Sequence, residues 1–141
     1  YGLPKSSLKR LQCVQNTLAR VVISSCKKYD HIQPVLHQLH WLPVDKRIEF
    51  KIATLTYKVL ETSQPSYLSE LLHRYVPARS LRSGGRNGQN LLVIPNLKSA
   101  NGRRSFSFAA PTIWNSLPES IRISTFLIAF RKQLKTHLFP P

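Results

Sequence analysis

Three features of the sequence predict a mainly α fold: an amphipathic helical domain with a small two-stranded antiparallel β insertion. Apolar residues recur at three- and four-residue steps through several windows, the period of a helix buried on one side. Pro, Ser and Asp stand at the edges of those windows, where helices start and stop. Between them, Leu91 to Phe108 holds an apolar run, an Asn-Gly turn and an alternating stretch, the pattern of paired strands. The chain has 141 residues, 42% of them hydrophobic, which suits one compact domain with its own core; a chain of about 150 residues buries roughly 70% of its unfolded surface. Three regions are expected within that unit: a helical region at 1–76, a basic loop and β segment at 77–104, and a C-terminal helical region at 105–141.

A first helix is predicted from about Pro4, with Leu8, Leu11, Val14, Gln15, Leu18, Val21 and Val22 on its buried side. At about 100° per residue, Lys5, Lys9, Gln12, Asn16 and Arg20 form a separate stripe of cations and amides. Ser24, Ser25, Lys27 and Lys28 are expected to end it. Asp30 reads as the N-cap of a short helix through Val35, Leu36 and Leu39. Pro43 and Asp45 open the strongest helix, with Val44, Ile48, Ile52, Leu55 and Val59 as its apolar stripe and Arg47, Lys51 and Lys58 on another side. Ser63 to Pro65 breaks that pattern, and Ser66 starts a shorter helix with Leu68, Leu71 and Leu72. Arg79 to Asn90, rich in Arg, Ser and Gly, reads as a basic loop. The strands are placed at Leu91–Ile94 and Arg104–Phe108. Ala109 to Leu117 carries Trp114 in a short helix, and a last helix after Thr125 buries Phe126, Leu127, Phe130, Leu134 and Leu138 while exposing Arg131, Lys132 and Lys135.

Composition narrows the chemistry. Lys and Arg number 21 against 6 Asp and Glu, a formal net charge of +15, and no acidic residue falls between Leu71 and Pro118. Two-metal phosphoryl transfer and paired-acid hydrolysis both need clustered carboxylates, and no two of the six are adjacent. His37 and His40 offer half of a zinc site, but no C-x-x-C occurs and Cys13 and Cys26 are too far apart in sequence to complete it; two small, partly buried thiols in a reducing compartment is the simpler reading. Asp30-His31 reads as a helix cap, not as part of a catalytic triad, and Gly84, Gly85 and Gly88 lack the setting of a phosphate-binding loop. No cofactor, metal or small-molecule substrate is expected. No apolar run approaches the roughly 20 residues of a membrane span, and no signal peptide is evident, so an intracellular location and no membrane partner are expected. The chain starts at Tyr1 and has no Met, and it reads as a fragment.

What remains is cationic stripes beside aromatics, which suits nucleic acid. The candidate contacts are Lys5, Lys9, Gln12, Asn16 and Arg20 in one patch, and Arg47, Lys51 and Lys58 in a second. Arg79, Arg82, Arg86, Arg103 and Arg104 make the third. Phe50, Tyr57 and Trp114 are the candidates for base stacking.

Several strings carry a resemblance. Leu11-Gln12-Cys13-Val14-Gln15-Asn16, Asp30-His31-Ile32 and Leu39-His40-Trp41-Leu42-Pro43-Val44 are followed by Arg47-Ile48-Glu49-Phe50-Lys51-Ile52 and Pro65-Ser66-Tyr67-Leu68. Ser80-Leu81-Arg82-Ser83, Phe108-Ala109-Ala110-Pro111 and Trp114-Asn115-Ser116-Leu117-Pro118 come next, in that order. Together they resemble the C-terminal part, thumb plus C-terminal extension, of the reverse transcriptases of non-LTR (LINE) retrotransposons of the jockey kind and its relatives. The connection between Gly84 and Asn101 departs from that pattern in length and composition. The resemblance implies that the polymerase aspartates lie upstream, in palm and fingers outside this chain, and that no catalytic residue is carried here. It implies a non-catalytic piece that holds template-primer duplex or element RNA during target-primed reverse transcription, in the nucleus or in a cytoplasmic ribonucleoprotein. Its partners would be RNA, RNA-DNA hybrid or DNA, and the upstream palm and fingers. The competing expectation is a degenerate or recruited remnant that serves as a helical protein-interaction module or has no function.

Overall fold

The computed structural model describes residues 1–23, 30–76 and 90–139. Among these the chain forms seven α-helices: α1 (Lys5–Val22), α2 (Ile32–Gln38), α3 (Val44–Thr62), α4 (Ser66–Ser69), α5 (Phe106–Ser116), α6 (Glu119–Arg122) and α7 (Leu127–Leu138). A single 3-10 turn, Gly102–Arg104, precedes α5.

α3 is the axis of the molecule. Its buried face is Ala53, Thr56, Tyr57 and Val59, and it packs mainly against α5 and α7. The expected stripe through Ile48, Ile52 and Leu55 is rotated from this face: Leu55 is exposed and the two isoleucines are half-buried. The reason is size. Small Ala53 and Thr56 let the other helices approach closely, and Tyr57, Phe130 and Trp114 then fill the space between them. Tyr57 stacks on Phe130 with ring centroids 4.4 Å apart, and Trp114 lies 5.9 Å from Phe130. Ile113, Leu117, Ile121, Leu134 and Leu138 complete this core, which Leu42, Leu72 and Leu92 join from the connecting segments. A smaller cluster of Ala19, Val35 and Leu36, flanked by Leu39 and Trp41, fastens α1 to α2.

α2 ends in a Schellman turn. The Trp41 amide donates to the Leu36 carbonyl at 2.8 Å and the His40 amide to that of His37 at 3.0 Å. His40 occupies the left-handed position, φ 53°, where glycine is usual. The turn sets Trp41 against the smaller cluster and sends Leu42 into the main core. His31, not Asp30, is the boundary residue of α2, and Pro34 falls within its first turn as expected. α4 is only four residues long, with Leu72 buried beyond it and Leu71 exposed.

The β insertion is corrected. No strand occurs among the described residues; Leu92 forms one isolated antiparallel bridge with Arg74. Residues 104–108, expected as the second strand, instead close the 3-10 turn and start α5, whose amides at Phe108 and Ala109 bond back to the Ser105 carbonyl. The alternating Phe106 and Phe108 belong to the first turn of a helix whose later residues, Ala109, Ala110, Ile113 and Trp114, are buried. Leu92 finds its ladder partner in a side chain: its amide donates to Asn115 Oδ1 at 2.9 Å, and Asn115 Nδ2 donates to its carbonyl at 2.8 Å. Phe126 is a second correction, since it stands before α7 and is 72% exposed, whereas Phe130, Leu134 and Leu138 are buried as expected.

Candidate nucleic-acid interface

α1 does not dock through its apolar stripe. Its buried residues are Gln15 and Ala19, while Leu11, Val14, Leu18, Val21 and Val22 are exposed. Hydrogen bonding decides the orientation. α3 begins after Pro43, which supplies no side-chain cap, and Gln12 Oε1 accepts the free Val44 amide at 2.8 Å in its place. Gln15 Nε2 donates to the Leu42 carbonyl, also at 2.8 Å. Gln12 Nε2 in turn donates to Asn16 Oδ1 at 2.8 Å. Thus, of the two amides expected to reach a nucleic-acid groove, Gln12 holds α1 to the start of α3 and Asn16 is engaged by Gln12 within α1.

The cations of the first patch are divided. Lys5 and Lys9 are exposed, as is Arg10 beside them. Arg20 is half-buried, and its Nη2 donates to the Asp30 carbonyl at 3.0 Å, tying α1 to the approach to α2. In the second patch Arg47, Lys51 and Lys58 all face solvent along α3. In the third, Arg103 and Arg104 are exposed, although Arg103 Nε also donates to the Leu97 carbonyl at 3.3 Å. Arg104 lies along the backbone of Gly2, where a Cβ would come within 2.7 Å of its Cγ. Arg79, Arg82 and Arg86, with most of the expected basic loop, lie outside the described residues, as do Cys26, Lys27 and Lys28.

The stacking candidates differ from one another. Tyr57 and Trp114 are buried in the core, 3% and 2% exposed, and each donates to a backbone carbonyl: Tyr57 Oη to Ser124 at 2.8 Å, Trp114 Nε1 to Asn90 at 2.6 Å. Burial, with a lesser contribution from Glu61, holds the Tyr57 phenol above its ordinary pKa. Phe50 alone is partly accessible, and the Arg131 guanidinium lies over its ring at 6.0 Å.

α7 supplies cations that were not among the candidates. Arg131 and Lys135, one turn apart, face the same groove as Arg47 and Lys51, also one turn apart on α3. The spacing marks each pair on its own helix, but that the two helices lie side by side could not be seen from periodicity. Lys46 and Glu49 form a salt bridge at 3.1 Å, and among the described residues Arg47, Lys51, Lys58, Arg131 and Lys135 have no carboxylate within 4 Å. No three His, Cys, Asp or Glu side chains among them are grouped to hold a metal ion. His37 packs edge-on against Phe139, with ring centroids 4.7 Å apart. No helix of the described residues is long and apolar enough to cross a membrane.

These features define a basic helical domain with most of its described cations at the surface, Arg122 being buried. No family model, curated protein or solved structure gave a significant match to the chain.

Proposed function

We propose that this domain binds nucleic acid by charge, as the non-catalytic C-terminal portion of a LINE-type reverse transcriptase, and holds template-primer duplex or element RNA during target-primed reverse transcription. Catalysis, in this reading, belongs to palm and fingers upstream, and the domain acts in the nucleus or in a cytoplasmic ribonucleoprotein. The observation that carries the proposal is the uncompensated surface charge: the net +15 stands on side chains such as Lys5, Lys9, Arg47, Lys51, Lys58 and Arg103 that point to solvent. Few carboxylates are available to neutralise them, and a polyanion is the partner that releases counterions on binding such a surface.

Lys5 and Lys9 are the best residues for a test, since both are exposed and neither has a partner in the fold among the described residues. Arg20 is unsuitable because its replacement would also cut the tie to Asp30. Lys5→Glu with Lys9→Glu is expected to weaken binding of an RNA-DNA hybrid and to lower the slope of log affinity against log salt by about 0.9 for each phosphate no longer neutralised. Titration at several salt concentrations reads this directly. Unchanged affinity and slope, with helicity intact, would remove α1 from the interface.

A further inference from the structure

Among the described residues the apolar stripe of α1 is left exposed: Leu11, Val14, Leu18, Val21 and Val22 all face outward. Leu11, Val14 and Leu18 form one wall of a groove of about 680 Å³, and Trp41, Leu42, Val44 and Phe50 line the rest of its apolar surface. Along α1, Leu11 to Leu18 spans about 10 Å, two helical turns. The rim is cationic: Arg47 and Lys51 from α3, Arg131 and Lys135 from α7. No carboxylate lines it.

We infer that this groove docks an acidic amphipathic helix of another protein segment. Such a helix would place apolar side chains, spaced i, i+3 or i+4, and i+7, against Leu11, Val14, Leu18 and Trp41. Asp or Glu on its flanks would meet the four rim cations. The apolar wall separates this occupant from nucleic acid, because three aliphatic side chains offer a phosphate or a base edge no hydrogen bond. A second copy of the chain is disfavoured by charge, since each copy carries +15 and would bring its own cations to the rim. The groove shares Arg47 and Lys51 with the second nucleic-acid patch, whereas the exposed Lys5 and Lys9 of the first do not line it, so the two readings are tested through different residues.

The test uses the 141-residue chain and a fluorescein-labelled synthetic peptide of about 18 residues, helical, with Leu on one face and Glu along both flanks. A scrambled peptide of identical composition, and one with Lys in place of Glu, serve as controls. Fluorescence polarisation should show saturable binding of the acidic amphipathic peptide only. Leu18→Gln and Arg131→Glu are each expected to weaken it about tenfold, equivalent to roughly 1.4 kcal/mol. Leu18 is 53% exposed and Val14 59% exposed, so Leu18→Gln, and Val14→Gln as a second wall variant, should leave the fold intact by circular dichroism. Equal binding of the scrambled peptide would reduce the effect to bulk charge and overturn the inference. So would self-association abolished by Leu18→Gln, which would give the groove to a second copy. A drop in duplex RNA binding in Leu18→Gln as large as the drop in peptide binding would assign it to nucleic acid instead.

Discussion

At the scale of single residues, the string Trp114-Asn115-Ser116-Leu117-Pro118 performs structural work. Trp114 anchors the core and bonds the Asn90 carbonyl, Asn115 grips both backbone groups of Leu92, and Leu117 is buried before Pro118 opens α6. Asn115→Asp keeps the acceptor but removes the Nδ2 donor, leaving a carboxylate oxygen against the Leu92 carbonyl. It is expected to destabilise the fold by about 1–3 kcal/mol, measured by urea denaturation, and to be no milder than Asn115→Ala. Tyr57 gives the chain a dependence on alkaline pH. Its folded pKa lies above the ordinary value, so on raising pH through about 10 the unfolded chain loses the phenolic proton first. Stability from this group is therefore whole below that pH and declines through the folded pKa. Tyr57→Phe should flatten the alkaline fall, at the expense of the bond to Ser124, when unfolding is followed from neutral to alkaline pH.

At the scale of elements, the long helices were legible and their facing was not. Periodicity places α3, α7 and the start of α1 within a residue or two, because each repeats apolar residues over three or more turns and is bounded by Pro, Ser or Thr; the expected end of α1 at Ser24 to Lys28 lies outside the described residues. It fails for α1's orientation, where two glutamines outrank five aliphatic residues. An amide that satisfies the first backbone N–H of another helix is indistinguishable, in sequence, from an amide waiting for a ligand. Gln12→Ala should therefore destabilise the domain by about 1 kcal/mol through removal of the Val44 cap. It should leave the salt slope of RNA binding unchanged, and thermal melts with parallel titrations separate the two effects. Residues 104–108 were misplaced for a related reason: two phenylalanines two apart satisfy a strand's alternation, while the continuation into buried Ala109 and Ala110 is what makes them helical. α6, four residues long, has too few positions for any period to emerge.

At the scale of the whole molecule, the sequence revealed the charge but not where apolar surface remained open. The core joins segments far apart in sequence, with Tyr57 from α3, Trp114 from α5 and Phe130 from α7 packed together, so they share one packing problem. Around that core the cations repel one another. Their repulsion reaches about 30 Å at 0.01 M salt and about 8 Å at 0.15 M. The melting temperature should accordingly rise between those two salt concentrations, as followed by circular dichroism. RNA affinity should fall over the same interval, since screening relieves the protein and weakens its hold on a polyanion.

The two tryptophans lie in opposite settings. Trp114 is sealed in the core with its indole N–H bonded, and Trp41 lines the cation-rimmed groove beyond the Schellman turn. The chain thus contains its own pair of optical probes. Trp41 is open to collisional quenching, and more so by iodide than by caesium because the rim attracts anions. Trp114 is shielded from both until the protein unfolds, so the quenchable fraction of the emission tracks the groove and the remainder tracks the core.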